Sequence, residues 1–293
     1  MLARRSAALA AVLAALPAVV AAPLSAQWPE HRTASAPRTA DGAVDLKAPP
    51  PRTRAGTPDL SGVWENVGWR ELQQQSGDVS GTGGSPGTRG LVAAPAGVLS
   101  GGPGLFFDIG AGVAGGLPLQ PWAAELKTQR MARNSLDNPD AHCLPLGNVQ
   151  LHTHPQPRKI IQAAEVMVIL YEGNAGIRQI FTDGRPLPAN DPQPWWFGYS
   201  SGQWMGDTLV VETTGFRDGG WLDVNGSPLT NRARTIERYR RTSYGTMDVE
   251  MTVDDPKAYT RPWTVTIRQR LMPDEELIEF VCLENEQSSQ HFR

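Results

Sequence analysis

Met247-Asp248-Val249-Glu250-Met251-Thr252-Val253-Asp254 alternates apolar and polar residues without a break, and Trp263-Thr264-Val265-Thr266-Ile267-Arg268 repeats the pattern. Successive side chains of a strand point to opposite faces, so a period of two marks antiparallel strands with one buried and one wetted face. Asp254-Asp255-Pro256 supplies turn chemistry between them. Working outward, further strands are expected at 159–163, 166–171, 177–181, 196–204, 208–213, 235–242 and 277–283. Glu172-Gly173-Asn174, Thr182-Asp183-Gly184-Arg185-Pro186 and Met205-Gly206-Asp207 punctuate them. With a strand opening at Gly62-Val63-Trp64, the pattern predicts a mainly β chain, an antiparallel meander closed into a barrel or folded into a sandwich. No helices alternate with these strands, which argues against a parallel α/β sheet.

One helix is expected, over 121–134. Pro121 suits the first helical position, Ala123 to Lys127 are strong formers, Arg130 and Arg133 suit the C-terminal end, and Asn138-Pro139 stops it. Ahead of the strands, residues 1–26 carry Arg4 and Arg5, an alanine, leucine and valine run, and the small-residue site Leu24-Ser25-Ala26. That is the pattern of a signal peptide cleaved near Ala26, by a Sec or twin-arginine route, which places the chain in the periplasm or outside the cell. Residues 27–58 read as a disordered Pro/Ala-rich arm. Residues 59–293 read as a single domain, interrupted by a long Gly-rich insertion at 76–116 that holds 14 of the 30 glycines. Its one apolar patch, Leu105-Phe106-Phe107, suits a lid that docks onto the domain.

Twenty-seven basic residues against 30 acidic give a net charge of −3, and −5 once Arg4 and Arg5 leave with the leader. This balance argues against nucleic acid and anionic membrane surfaces as partners. No later apolar run approaches the ~20 residues of a transmembrane helix. Cys143 and Cys282, an even pair in an exported chain, are expected to form a disulfide, and two cysteines alone cannot build a zinc ribbon or an iron–sulfur site.

Two resemblances follow from particular residues. Gly202-Gln203-Trp204-Met205-Gly206-Asp207-Thr208-Leu209-Val210-Val211-Glu212-Thr213, preceded by Phe181-Thr182-Asp183-Gly184-Arg185-Pro186-Leu187-Pro188, resembles a widespread family of secreted bacterial proteins of unknown function. The likeness runs from about Asp59 to the C-terminus outside the insertion and implies no particular activity. Gly62-Val63-Trp64 before an antiparallel meander is similar to calycins such as lipocalins, which implies a calycin-like barrel.

Histidine is scarce, and three of five cluster as His142, His152 and His154. In an extended segment His152 and His154 would share a face, so with His142, Glu165 or Asp140 they would suit a divalent transition metal with one position left for water. Without metal, the same pair would serve as acid and base, with Glu212 as a carboxylate partner on the Val210 side of its strand. Asp183 and Asp207 are explained by turns. Pro194-Trp195-Trp196-Phe197-Gly198-Tyr199 concentrates aromatic surface, so Trp195, Trp196, Tyr199 and nearby Arg185 are the candidate ligand-binding residues for a sugar or aromatic molecule. Thr235-Ile236-Glu237-Arg238-Tyr239-Arg240-Arg241 reads as a solvent-facing charge ladder against Glu250 and Arg268. Nucleophile elbow, P-loop, dinucleotide and metalloprotease motifs are missing from the sequence. The expected function is an exported small-molecule-binding protein, a lyase, isomerase or hydrolase using paired histidines beside an aromatic pocket. The alternative classes are a non-catalytic carrier or carbohydrate-binding module, and an envelope protein that docks a partner through the Gly-rich insertion.

Overall fold

The alternating segments become the walls of a barrel. The strands are β1 (Gly62–Asn66), β2 (Arg158–Gln162), β3 (Val166–Tyr171), β4 (Ile177–Phe181), β5 (Tyr199–Met205), β6 (Thr208–Thr214), β7 (Gly220–Trp221), β8 (Pro228–Leu229), β9 (Arg234–Arg241), β10 (Thr246–Asp254) and β11 (Trp263–Leu271). In this computed structural model residues 32–68, 103–188 and 193–282 are described; the leader and residues 76–102 of the insertion lie outside them. Nine strands close in the order β1-β11-β10-β9-β6-β5-β4-β3-β2, and β7 and β8 form a separate small sheet. The sandwich alternative is therefore not the one adopted.

Strand directions around a closed ring can alternate throughout only if the strand number is even. A ring of nine must contain a parallel neighbour, and here it is β4 against β5 in an otherwise antiparallel barrel. That seam is short, with only Ile180↔Ser200 and Phe181↔Ser201 in register. Parallel neighbours need a crossover, and residues 182–198 provide it. This is why the expected strand at 196–204 begins only at Tyr199. The expected strand at 277–283 is also absent from the described residues up to Cys282, which form a tail leading to the disulfide.

Among the described residues three α-helices stand where one was expected: α1 (Pro103–Phe107), α2 (Pro121–Ala132) and α3 (Asn148–Thr153). α2 is the sequence-predicted one. α1 is the end of the Gly-rich insertion, where Leu105 is fully buried beside Ile109 and Val265 flanks Gly112, so this part is docked against the barrel. α3 is buried along its whole length.

Residues 33–58 differ from the disordered arm expected of them. Ala36, Val44, Leu46 and Ala48 pack on the core around Trp64, Met247 and Leu271, and the backbone is pinned by Tyr244 N–H to Ala48 O (2.7 Å) and Gly245 N–H to Leu46 O (2.9 Å). A Cβ on Gly245 would lie 2.6 Å from that of Leu46, so glycine permits the close approach. Composition misled because this segment finds its apolar partners on the barrel and not within itself. The Cys143–Cys282 disulfide joins the loop before α3 to the tail across 139 residues, with Cα atoms 5.6 Å apart. In the chain-entropy model such a loop is worth roughly 4–5 kcal/mol. Among the described residues no helix is long and apolar enough to cross a membrane.

Candidate functional site

Inward positions follow from register. On β6, β9 and β10 the inward residues are Leu209, Val211 and Thr213; Thr235, Glu237, Tyr239 and Arg241; and Met247, Val249, Met251 and Val253. Apolar residues fill one part of the lumen, where Leu209, Val211, Met247, Val249, Ile169 and Ile180 join a single cluster. The next inward positions break that pattern. Thr213 from β6, Ser200 from β5, Arg178 from β4 and Glu237 from β9 are at most 1% exposed, as is His152 from α3.

Glu237 and Arg178 meet fork to fork: Nη1 donates to Oε1 at 2.9 Å and Nη2 donates to Oε2. Arg178 Nη2 also donates to the hydroxyls of Ser200 (3.1 Å) and Thr213 (3.0 Å). One guanidinium thus ties β4 to β5, β6 and β9 beside the seam that backbone pairing holds least. Burial alone would raise the Glu237 carboxyl, but the Arg178 charge and hydrogen bonds hold it well below the usual carboxylate range. Burial opposes the Arg178 charge too, and Glu237 overcomes it.

His152 Nε2 lies 2.9 Å from Glu237 Oε1 and 3.0 Å from the Tyr239 hydroxyl, which itself donates to Glu237 Oε1 at 2.9 Å. Tyr171 and Tyr239 set their rings edge-on to the imidazole. Burial pushes the imidazole down to about 4, against the pull of Glu237, so it is neutral at neutral pH. Nε2 thus faces both the Glu237 carboxylate, which only accepts, and Arg178 Nη1 at 3.1 Å, which only donates, while Nδ1 is buried and without a partner. A carboxylate-oriented imidazole with a free nitrogen is an acid–base arrangement.

The other sequence-predicted residues are dispersed. His152 and His154 are not on an extended segment: His152 is in α3 and His154 caps its C-terminal end. Pro155 and Pro157 lie in the short link between α3 and β2. The His154 ring packs edge-on against Phe106, with Nε2 4.0 Å from Asp140, while His152 faces Glu237, so the two imidazoles serve different surroundings. His142 is exposed, with Nε2 against Leu136 O. Among the described residues no three His, Cys, Asp or Glu side chains come together as a metal site, so the expected metal trio is not assembled. Glu212 sits on the outer wall in an ion pair with Arg234 (2.7 Å), too far around the strand to face the lumen.

The aromatic residues form a ledge on the crossover and do not line a lumen pocket. Arg185 lies 3.9 Å over Phe181, Phe181 lies 5.3 Å from Tyr199, and Tyr199 lies 5.7 Å from Trp195, which is 47% exposed. Trp196 is covered by Arg217 at 4.9 Å, and Phe197 stacks on Tyr171. The parallel seam explains the difference, because it turns 195–198 into crossover. A surface depression on α2, lined by Leu126, Arg130 and Asp137, carries none of these groups.

Glu237, Arg178, Tyr171 and Tyr239 are functional candidates the sequence reading missed. The signal was there in part: Arg178 shares its parity with Ile180, and Glu237 shares its own with Tyr239. The charge ladder holds only on the outer face, as Arg238 to Glu250 (3.5 Å) and Arg268 to Asp248 (2.7 Å). No family model, curated protein or solved structure matches the chain.

Proposed function

We propose that the protein is an exported barrel that binds a small polar molecule in the polar half of its lumen. There it carries out acid–base chemistry of a lyase, isomerase or hydrolase kind, with His152 as the proton-accepting group and Glu237 orienting it. The observation that carries this reading is the polar layer itself. A buried ion pair seldom stabilises a protein more than apolar packing of the same volume. Here the layer also leaves His152 Nδ1 and Thr235 Oγ1 without partners, at about 1–3 kcal/mol for each buried unpaired group. A bound polar guest would satisfy such groups. The disulfide suits an oxidising compartment, and the leader pattern supports export.

A thermal-shift screen of small polar molecules tests the reading. Stabilising compounds should be found, and their effect should vanish in His152→Phe, which puts an apolar ring in the lumen. Equal stabilisation of both proteins, or none of either, would overturn it.

A second reading has its own observation, the Trp195–Tyr199–Phe181–Arg185 ledge, exposed at Trp195 and Arg185 and half-buried at Tyr199 and Phe181. Rings presented in a row suit stacking on a sugar, as in a carbohydrate-binding module without catalysis. Trp195→Ala would then abolish retention on polysaccharide while leaving lumen ligands bound.

A further inference from the structure

The two arginines of the polar layer are unequal. Arg178 is neutralised by Glu237, whereas the fully buried Arg158 has no carboxylate partner among the described residues. Its terminal nitrogens donate to His152 O (2.9 Å) and His154 O (3.4 Å) at the C-terminal end of α3. Carbonyl dipoles there favour a cation but do not cancel its charge. Burial lowers Arg158 only to about 10, so it remains charged at neutral pH. With His152 neutral, the layer holds two positive charges against one negative.

Polar atoms without partners gather beside Arg158. Its own Nε–H has none. Asn66 donates to the same two carbonyls, at 2.8 and 3.0 Å, and its Oδ1 is left over. Gln269 stands directly opposite Asn66 across the β1–β11 pair, fully buried, and neither end of its amide is bonded. Two N–H donors beside an uncancelled positive charge call for an anion of one negative charge; a dianion would leave a surplus. Two amide oxygens call for donors as well, which chloride lacks. We propose that the lumen ligand is a small hydroxy-carboxylate, its carboxylate accepting from Arg158 Nε and the Gln269 amide nitrogen and its hydroxyl donating its one proton to Asn66 Oδ1. This rests on the lumen-binding reading above and names its ligand class.

The test uses glycolate and lactate, each against its uncharged amide, with sodium chloride as the control, on the folded full chain at pH 7. The acids should raise the melting midpoint by about 2–4 °C near saturation, and the amides and chloride should not. Gln269→Leu removes an amide that makes no hydrogen bond, so the fold should survive. Binding of the acids, measured by calorimetry, should weaken at least tenfold. Equal shifts with acid and amide, or with chloride and acid, would overturn the carboxylate assignment while leaving lumen binding intact. So would acids without effect when other molecules of the screen stabilise the protein, or a Gln269→Leu variant that binds the acids normally. Silence from every molecule in that screen would instead remove the reading on which this one rests.

Discussion

Leu209, Val211, Met247 and Val249 meet in one part of the lumen as an apolar layer, whereas the next inward places around the same wall hold Thr213, Ser200, Arg178 and Glu237. Both layers are equally buried. They differ in what holds them: the first is stabilised by area removed from water and tolerates imperfect fit, the second by charge and hydrogen-bond geometry that fails when one member is lost. A barrel needs only the first kind to close, so the second kind is where a reason beyond folding is to be sought.

The sharpest way to break this comparison is to take one charge from the pair. Glu237→Ala leaves Arg178 buried and unpaired and should cost about 3–5 kcal/mol by denaturant unfolding. The double replacement Glu237→Leu with Arg178→Met should recover that loss or surpass the parent, while removing any lumen binding. A single variant within about 1 kcal/mol of the parent would show that the pair is not isolated from water.

In the apolar layer, Leu209→Ala should cost about 3 kcal/mol from lost transfer and the cavity left behind, by the same amount at pH 7 and pH 5. A loss that changed with pH would mean the two layers are coupled.

Acid should act on the polar layer. His152 has its proton affinity lowered by folding, from 6.5 to about 4. The unfolded chain therefore takes up a proton first, and stability falls as pH drops through that window, by about 2–3 kcal/mol. Glu237, held below its ordinary value, adds its own loss at still lower pH, below about 4.5. Unfolding free energies of the parent and His152→Gln between pH 7 and 4 should converge as the parent loses its advantage; parallel curves would contradict a neutral imidazole.

The smallest effect belongs to the outer wall. Glu212→Ala breaks a half-exposed pair with Arg234 and should change stability by less than about 1 kcal/mol, without altering lumen binding. A larger loss would assign the outer wall a role that neither layer supplies.

The barrel was readable because β10 along its length and β11 from Trp263 to Ile267 keep polar residues out and apolar residues in, and Leu209 and Val211 agree with them. In β9 the polarity is inverted in the middle: Ile236 faces outward and Glu237 inward. Period two was visible there, but which face was the core depended on pairing Tyr239 with Leu209, a contact between strands far apart in sequence. The position of His152 was hidden for another reason. Six residues of mixed polarity cannot announce a helix by periodicity, and α3 is helical because the barrel buries it on every side. The aromatic ledge depended on a property of the whole ring, its odd strand number, which no local window contains.

The place of β1 in the ring carries a consequence for assembly. It lies between β2 and β11, so the strand formed first in the chain finds one of its two neighbours only in the last. A chain that emerges from its N-terminal side can lay down β1 to β10 as an open, curling sheet, but its borders, β1 and β10, stay unpaired until Trp263–Leu271 arrives. Unpaired borders invite another chain. A product cut before Trp263 would therefore be no smaller barrel but an open sheet with two adhesive edges. Ring closure is the act that removes both edges at once.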